Sequence, residues 1–384
     1  MIEMTKRCIG DLGKVIGGAT PSTKDPSFWD GDVPWITPKD LASYSSRYIC
    51  GGNRSITVKG ASSCSTTLLT KGSVLFSSRA PIGYIAIAGK DLCTNQGFKS
   101  IIPNEETDSL FLYYLLRSNK DYIASLGSGT TFKEISGRTF GNIQLGIPKK
   151  KSDQEAIAAI LDSLDSKIEL NSQINDYLAE LAKIRFESEL SAKSVLVRME
   201  DIVALEDSKR IPLNSRDREQ RKGPYPYYGA TSIVDYVDDY LFDGIRVLLG
   251  EDGTVVGNDG KPILQYVWGK YWVNNHAHIL KAAKDYSLEA IYMGLARTSI
   301  NHIITGAVQM KISQRNLKTL ELEMPPAESL NDYLESIFAA YRINCDENHR
   351  LNRLRDILLP KLMSGEIDVS QVDLKQLNNH LCDY

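Results

Sequence analysis

The feature that most constrains this chain is a long helical segment that occurs twice. Residues 151–190 contain no proline or glycine, and Ser152 with Glu155 three positions later forms a capping box at their start. Residues 327–364 repeat the pattern after two consecutive prolines, and only Pro360 interrupts them. Each segment predicts a helix of roughly 57 Å, which is too long for one small globule to cover.

The two segments belong to a larger internal repeat with a constant offset of 177 residues. The identical pairs are Ile135 and Ile312, Ser136 and Ser313, Pro148 and Pro325, Ile160 and Ile337, Asn171 and Asn348, and Leu181 and Leu358. A strand pattern leads into the proline in both copies, as FGNIQLGIP and LKTLELEMP. The chain is therefore predicted to run globule, long helix, globule, long helix.

Both helices carry apolar side chains at spacings of three and four residues, which is typical of a coiled-coil seam. The predicted seam of the first helix consists of Ile157, Leu161, Leu164, Ile168, Asn171, Ile174, Leu178 and Leu181. That of the second consists of Leu334, Phe338, Tyr341, Cys345, Asn348, Leu351, Arg355 and Leu358. An antiparallel pair would place Asn171 beside Asn348 and so fix the register. The alternative is that each helix packs only on its own globule.

The segments outside the helices predict mixed, strand-rich globules. GSVLFSSRAPIGYIAIAG (72–89) and GIRVLLGEDGTVVG (244–257) each give a glycine, an apolar strand, a turn and a second strand. We therefore predict an α+β fold class in which two mixed domains and two long antiparallel coiled-coil helices form a pseudo-two-fold internal repeat. The predicted boundaries are 1–150 for the first globule, 151–192 for the central helix, 193–326 for the second globule, and 327–384 for the C-terminal helix and tail.

The formal net charge of -3 is distributed unevenly along the chain. Lys and Arg outnumber Asp and Glu by 18 to 12 in residues 1–150, whereas the two classes are equal, at 17 each, in residues 191–326. Both helical segments are acidic. Neutral-to-basic globules beside acidic helices favour a DNA duplex held by the globules and kept clear of the helices. Acidic helices that are simply solvated are the alternative.

No catalytic or metal-binding motif stands out. DPSF (25–28) departs from a methyltransferase loop at Ser27, and no glycine-rich cofactor turn follows a strand. His276 and His278 would share one face of a strand, but no cysteine or acid lies near them in sequence to complete a metal site. The six cysteines form no C-x-x-C pair, which favours reduced thiols over disulfides or zinc. The sequence predicts a binding protein without an active site.

Several stretches, taken in order, resemble the specificity subunit of type I restriction-modification systems. They are TPSTKDPSFWDGDVPWITPKDL (20–41), LLTKGSVLFSSRAPIGYIAI (68–87), TNQGFKSI (94–101), IPKKKSDQEAIAAILDSLDSKIELN (147–171), YPYYGATSIVDYVDDYLFDG (225–244) and RVLLGEDGTVV (246–256). The resemblance covers the whole chain. It implies that each globule is a target-recognition domain for one half of a split double-stranded DNA site, with the helices acting as a ruler between the halves.

The same resemblance implies the partners of the chain. Two modification (methyltransferase) subunits would dock on the helices and bring S-adenosylmethionine, so this chain itself would carry no cofactor and no catalysis. A restriction subunit would join the larger complex.

No apolar run approaches the roughly 20 residues needed to span a bilayer, and we expect a cytoplasmic location.

Two loops supply the candidate DNA-binding side chains. Arginine suits phosphates and guanine, and a Gly/Thr loop offers donors to phosphate oxygens. The candidates are Lys99, Thr130, Thr131, Lys133 and Arg138 around GSGTTFKEISGR (127–138), and Arg210, Arg216, Arg218, Arg221 and Lys222 in KRIPLNSRDREQRKG (209–223). Loops that are only flexible or only basic are the alternative.

A tyrosine-rich stretch follows the second loop. Tyr225, Tyr227 and Tyr228 lie on a proline-bounded turn where rings could approach DNA, whereas Tyr236 and Tyr240 stand among Val and Leu and are predicted to pack in the core. The alternative functions are a coiled-coil scaffold without nucleic-acid contact and a fused enzyme. The divergence of the globules disfavours the scaffold, and the missing cofactor loop disfavours the enzyme.

Overall fold

The computed structural model describes residues 2–42, 44, 46–79, 81–129, 133–306 and 310–369. The chain divides into two compact units. The first unit takes in the chain up to Leu170 and again from Glu347 onwards, and the second is Asn171–Asp346. Each unit therefore contains one strand-rich domain together with a segment of each long helix.

The first domain is built from short strands and helices. Its strands are β1 (Met4–Cys8), β2 (Gly13–Gly17), β3 (Trp29–Ile36), β4 (Tyr48–Ile49), β5 (Arg54–Ile56), β6 (Val74–Ser78), β7 (Ile82–Ala88), β8 (Cys93–Thr94), β9 (Lys99–Pro103) and β10 (Gln144–Pro148). Its helices are α1 (Pro38–Leu41), α2 (Val58–Ser62), α3 (Ser109–Ser118), α4 (Lys120–Ser125) and α5 (Gly137–Gly141). The first long helix, α6 (Lys151–Ala192), follows directly.

The strands of the first domain form three sheets. A five-stranded sheet has the order β2-β9-β6-β7-β4, and a three-stranded sheet has the order β5-β3-β8. Strands β1 and β10 pair antiparallel, which joins the start of the domain to the strand that leads into α6. The helix α3 buries Phe111, Leu112 and Leu115 against the larger sheet.

The second domain uses a corresponding set of elements. Its strands are β11 (Val195–Arg198), β12 (Val203–Leu205), β13 (Lys222–Tyr228), β14 (Ile233–Val237), β15 (Phe242–Asp243), β16 (Arg246–Gly250), β17 (Leu264–Val267), β18 (Lys270–Val273), β19 (Ala277–Ala282), β20 (Ile304–Thr305), β21 (Lys311–Ile312) and β22 (Glu321–Met324). Its helices are α7 (Met199–Ile202), α8 (Ser215–Gln220), α9 (Leu288–Arg297) and α10 (Gln314–Lys318), and the second long helix is α11 (Asn331–Met363).

The sheets of the two domains share a common set of strands in the same order. They differ at one edge, because β4 extends the larger sheet of the first domain whereas β15 extends the sheet of β14, β13 and β18 in the second. The order β12-β19-β16-β17 reproduces β2-β9-β6-β7, and β14-β13-β18 reproduces β5-β3-β8. The pairing of β3 with β8 is parallel, and so is that of β13 with β18. The closing pair β11-β22 corresponds to β1-β10. The predicted repeat is therefore confirmed at the level of topology, although few side chains are shared.

Within each unit the two long helices run antiparallel. In the first unit Nη1 of Arg355 in α11 lies 2.7 Å from Oδ1 of Asp165 in α6. In the second unit Asn175 in α6 donates through Nδ2 to the carbonyl oxygen of Tyr341 and to Sγ of Cys345 in α11, at 3.4 and 3.3 Å. The predicted α+β fold with antiparallel long helices is confirmed. The helix α11 begins at Asn331 rather than at 327, because a 3₁₀ turn over Ala327–Ser329 follows the two prolines.

The seam of α6 differs from the prediction after Asn171. The buried stripe continues through Asn175, Ala182 and Phe186, whereas Ile174 and Leu181 are exposed. A regular seam alternates steps of four and three residues, so that Asn175 follows Asn171. The predicted seam includes Ile174 because this side chain is apolar. The amide of Asn175 occupies the seam instead, since its Oδ1 also accepts a hydrogen bond of 2.9 Å from Nδ2 of Asn344.

Among the described residues, no helix is long and apolar enough to cross a membrane.

Candidate nucleic-acid interface

Three charged side chains meet where two central strands of the first domain end. Arg79 follows β6 and forms an isolated antiparallel bridge with Glu134, and Lys99 begins β9. One carboxylate oxygen of Glu134 lies 3.7 Å from Nη1 of Arg79, and the other lies 3.8 Å from Nζ of Lys99. Two cations therefore share one counter-ion, which leaves positive charge at this end of the sheet.

Two further cations lie on the segment around Glu134. Lys133 and Arg138 are exposed, and neither forms an ion pair with another described residue. The helix α5 begins here because the Ser136 side chain accepts a hydrogen bond of 3.0 Å from the backbone N–H of Thr139. Thr130 and Thr131 lie outside the described residues. We call Arg79, Lys99, Lys133 and Arg138 the basic end of the first domain.

The second domain builds the same corner from different side chains. Strand β19 pairs with β16 as β9 pairs with β6, and the bridge between Asp252 and Lys311 corresponds to that between Arg79 and Glu134. The backbone of Gly129 and of Gly306 has a positive φ, 129° and 90°, at equivalent positions. The equivalent side chains are Arg79 and Asp252, Lys99 and His278, Glu134 and Lys311, and Arg138 and Arg315.

Arg210 belongs to a buried charge network rather than to a free surface, and its predicted DNA contact is corrected accordingly. Its Nη1 donates to Oε2 of Glu251 at 2.8 Å and to the carbonyl oxygen of Ala277 at 2.7 Å. Its Nε donates to the carbonyl oxygen of Asp207 at 3.0 Å. A guanidinium whose N–H groups are held by three buried acceptors is not available to a phosphate.

His278 completes this network. Its Nδ1 lies 2.6 Å from Oδ2 of Asp207, and its Nε2 lies 2.8 Å from the carbonyl oxygen of Ile312. Each ring nitrogen therefore faces an oxygen that can accept a hydrogen bond. Burial alone would raise the pKa of Asp207, but its hydrogen bond with His278 and the charge of that ring hold the pKa below its usual value.

Asp207, Glu251 and His278 are also a group whose ligand atoms lie within 4.8 Å of one another. A metal ion would need a ring nitrogen of His278 with a free lone pair. Both nitrogens already lie within 2.8 Å of a protein oxygen, and Arg210 is paired with Glu251. The chemistry of this group fits a network of ion pairs better than a metal site.

The remaining cations of the arginine-rich loop are mostly paired with acids of the neighbouring hairpin. Arg218 and Lys222 contact the carboxylate of Asp235 at 3.3 and 2.6 Å. Arg221 contacts Asp238 at 2.9 Å. Only Arg216, exposed in α8, forms no ion pair with a described residue. The loop is therefore less basic towards solvent than its composition predicts, because β14 and the turn after it supply the counter-ions.

The tyrosines divide differently from the prediction. Tyr227 is 1% exposed and packs with Val237 and Trp272, so the predicted contact of its ring with DNA is corrected. Tyr228 is half-buried, in edge-to-face contact with Tyr271. Tyr236, predicted to be in the core, is 42% exposed. Alternation places Tyr227 and Tyr228 on opposite sides of β13, and on β14 it places Val237 in the core and Tyr236 towards solvent.

Tyr225 and Tyr240 form an accessible aromatic pair beside a cation. Their ring centroids are 5.1 Å apart, and Nζ of Lys270 lies 4.6 Å from the centroid of Tyr240. The hydrogen bond and charge of Tyr240 raise the pKa of Lys270. Tyr240 was predicted to lie in the core but is half-buried in this pair. Two tilted rings next to a cation provide surfaces that nucleic-acid bases and phosphates can use.

Two copies of one sheet-and-helix domain, with different charged groups at equivalent corners, define a binding protein built by duplication. The sequence matches the family described as type I restriction modification DNA specificity domain over residues 1–180 and 193–351. The chain belongs to this family.

Individual relatives agree with this assignment. The type I restriction enzyme MjaIX specificity subunit of Methanocaldococcus jannaschii is 29% identical, covering 95% of this chain and 93% of the relative. The type I restriction enzyme EcoprrI specificity subunit of Escherichia coli is 23% identical, covering 81% of each. The fold is similar to the crystal structure of a type I restriction-modification S subunit from M. genitalium, with a TM-score of 0.65, 17% identity, and 94% and 96% of the two chains covered.

Sequence reasoning missed Arg79, Arg315 and Lys270 as candidate contacts. The 177-residue offset could have identified Arg315, because it aligns Arg315 with Arg138. Arg79 and Lys270 carried no local signal. Their neighbours, Glu134 and Tyr240, are 55 and 30 residues away along the chain.

Proposed function

We propose that this chain reads a two-part DNA site, with one half recognised by each domain. The observation that carries the proposal is the matched strand order of the two domains combined with altered chemistry at the equivalent corners. A retained scaffold with Arg79 replaced by Asp252, and Glu134 by Lys311, is what two readers of different base sequences would need. Base edges are distinguished by the hydrogen-bonding pattern of the side chains that meet them.

The exposed cations support contact with the phosphate backbone. In the first domain these are Lys133 and Arg138 of the basic end, next to the half-buried Arg79 and Lys99. In the second domain they are Arg216, Lys270 and Arg315. Phosphate contacts position a protein on the duplex, whereas base contacts specify the sequence. Because the second domain has no net charge, we infer that the lone chain binds DNA weakly and that partner subunits supply further DNA contacts.

The long helices provide surfaces for partner subunits. Ile174, Tyr177, Leu181 and Ile184 form an exposed apolar stripe on α6 in the second unit, spaced by three and four residues. Leu354 and Ile357 are exposed on α11 in the first unit. Apolar stripes at helical spacing are typical of helix–helix docking. We propose that two modification (methyltransferase) subunits dock here, one on each unit, and that a restriction subunit joins the assembly.

On this proposal the chain is not itself an enzyme. Methylation would be catalysed by the modification subunits, which would bind S-adenosylmethionine, and cleavage by the restriction subunit. The buried polar groups of the second domain, such as Asp207 and His278, are committed to structural hydrogen bonds, which supports this division of labour.

Methylation mapping tests the two-part site. The first domain, residues 1–150, is exchanged for the equivalent region of a relative, and the methylated motif is sequenced in cells that contain the modification subunit. We expect one half of the motif to change and the other half to stay the same. The reciprocal exchange of residues 193–326 is the matched control and should change the other half. A change in both halves after either exchange would contradict separate reading by the two domains.

A further inference from the structure

The contact between each domain and its long helix contains a buried charged group, and the two contacts have opposite polarity. In the first unit the helix supplies acids and the domain supplies bases. In the second unit the helix supplies a base and the domain supplies an acid. The helix residues concerned, Asp165 and Arg342, are separated by the repeat offset of 177 residues and so occupy the same position in the two copies.

The first contact centres on Asp165 of α6. Its Oδ2 accepts hydrogen bonds from the hydroxyl of Tyr114 at 2.9 Å and from Nη1 of Arg117 at 3.2 Å, both on α3 of the domain. Its other oxygen is paired with Arg355 of α11. The carboxylate is buried, so a replacement of these donors by an acid would leave two anions together in a poorly solvated place.

A second cation of the first domain strengthens the same polarity. Arg47, which is 5% exposed, donates to the carboxylates of Asp162 and Glu169 of α6 at 2.6 and 3.1 Å. It also donates to Oγ of Ser166 at 2.9 Å. Asp162, Asp165 and Glu169 lie on one face of the helix, at spacings of three and four residues. The first domain is therefore held on this face by cations.

The second contact centres on Arg342 of α11. Its Nη1 lies 3.2 Å from Oε1 of Glu289, which belongs to α9 of the second domain and is 4% exposed. The hydroxyl of Tyr266 donates to the same oxygen at 2.6 Å and also contacts Arg342. Elsewhere in this unit a partly exposed pair has the polarity of the first unit, with the acid on the helix. Nε of Arg297 in α9 lies 3.3 Å from Oε1 of Glu187 in α6.

We propose that this reversal of charge makes each helix face accept only its own domain. The scaffolds of the two domains and the two helices are alike, so an exchange of docking partners is the error that such a repeat invites. The helices α3 and α9 align with Asp108 on Ser287, so Leu110 takes the place of Glu289 and Ala296 takes the place of Arg117. With the partners exchanged, Arg342 would therefore lose its anion and Asp165 would lose its domain cation. A charge left without its partner where solvent is excluded disfavours the wrong pairing strongly, which is a recognised way to achieve specificity.

A domain grafted from a relative must match the charge of the helix face on which it docks. A domain placed before α6 must present cations to Asp162 and Asp165, and a domain placed before α11 must present an anion to Arg342. The sequence that a domain recognises is then independent of its place in the chain, but its docking residues are not.

The first test reverses the second contact in the full-length chain. Arg342→Glu alone should lower Tm by about 5–10 °C, because two acids then face each other. Arg342→Glu with Glu289→Arg should recover most of that loss. Arg350→Glu, an exposed change of the same charge on the same helix, is the control and should change Tm little. A double variant no more stable than Arg342→Glu would overturn the charge assignment.

The second test addresses selectivity with a chain that carries the second domain in both places, residues 193–326 replacing 1–150. With Asp165 retained, this chain should lose the thermal transition of its first unit and become sensitive to limited proteolysis there. Asp165→Arg with Arg355→Leu reproduces the surroundings of Arg342, since Leu178 is the equivalent of Arg355, and should restore the transition. Glu155→Arg, an exposed change on the same helix, should not. Normal folding with Asp165, or no recovery in the paired variant, would overturn the proposal.

Discussion

Arg355 and Asp165 form an ion pair across the two long helices of the first unit, with Nη1 and Oδ1 2.7 Å apart. The side chains are 11% and 7% exposed, so the pair lies inside the seam rather than on its rim. An arginine at a seam position is a departure from an apolar coiled coil, and the acid on the facing helix accounts for it. The pair also joins the seam to the domain, because Asp165 is shared with Tyr114 and Arg117.

This sharing predicts unequal costs for the two ends of the pair. Asp165→Leu should lower the free energy of unfolding by about 3–5 kcal/mol. Arg117 and the hydroxyl of Tyr114 lose their acceptor, and Arg355 keeps only the exposed Asp356. Arg355→Leu should cost only about 1–2 kcal/mol, since Asp165 keeps two donors and leucine suits a seam. Urea unfolding of both variants checks the order. Equal costs would contradict the shared role of Asp165.

The buried network around Asp207 predicts a loss of stability in acid. The pKa of Asp207 is held low in the folded chain, so its contribution is fully present above its unfolded pKa of about 3.9 and is lost as the pH falls through the folded value. The free energy of unfolding of the second unit should therefore fall steeply below about pH 4.

Asp207→Asn is the matched variant for this prediction. It should be less stable than the parent at pH 7 and should show a shallower fall between about pH 4 and pH 2. Urea unfolding at a series of pH values, followed by tryptophan fluorescence, measures both. An unchanged slope in the variant would mean that other carboxylates govern the acid transition.

The contrast between Arg138 and Arg210 predicts two different phenotypes. Arg138→Ala should weaken binding of the complete methyltransferase complex to DNA and reduce the dependence of log K on log[salt] by about 0.9, the value for one phosphate contact. Its Tm should be unchanged, because the side chain is exposed. Salt titrations by gel shift or fluorescence anisotropy measure the slope.

Arg210→Ala is the comparison for that experiment. It should lower Tm, since it leaves Glu251 and the carbonyl of Ala277 without their donor. Any loss of DNA affinity should follow the loss of folded protein, with the salt slope preserved. A normal Tm with a reduced salt slope would place Arg210 on the DNA after all.

The exposed stripe on α6 predicts a surface needed for assembly but not for folding. Tyr177→Ser and Leu181→Ser should each weaken binding of the modification subunit by at least about tenfold if they lie at the centre of the contact. The Tm of the lone chain should change little, because Tyr177 is 69% exposed. Leu178→Ser, on the seam side of the same helix, should instead lower Tm. Calorimetric titration with the purified partner measures the affinity, and unchanged binding by both stripe variants would exclude this docking face.

Much of the architecture could be predicted from local pattern. The long helices were predictable because a long segment with apolar residues every three or four positions, and no proline except Pro360 near the end of the second, has few other ways to bury them. The repeat was predictable because the offset recurs from Ile135 to Leu181 and from Ile312 to Leu358. The continuation of the seam through Asn175 was not, since a polar residue is suited to a seam only when the facing helix supplies partners such as Asn344.

The sequence by itself determined the order of elements, the duplication and the family, because these depend on residues that are close along the chain or repeated at one fixed spacing. Only the tertiary structure decided which charged side chains are free. Arg210 and Arg138 have the same chemistry and similar loop surroundings. Arg210 donates hydrogen bonds to Glu251 and to the carbonyl oxygen of Ala277, whereas no described residue forms an ion pair with Arg138. The free energy of a charge depends on what lies within a few ångströms of it, and those neighbours are brought together by the fold from distant parts of the chain.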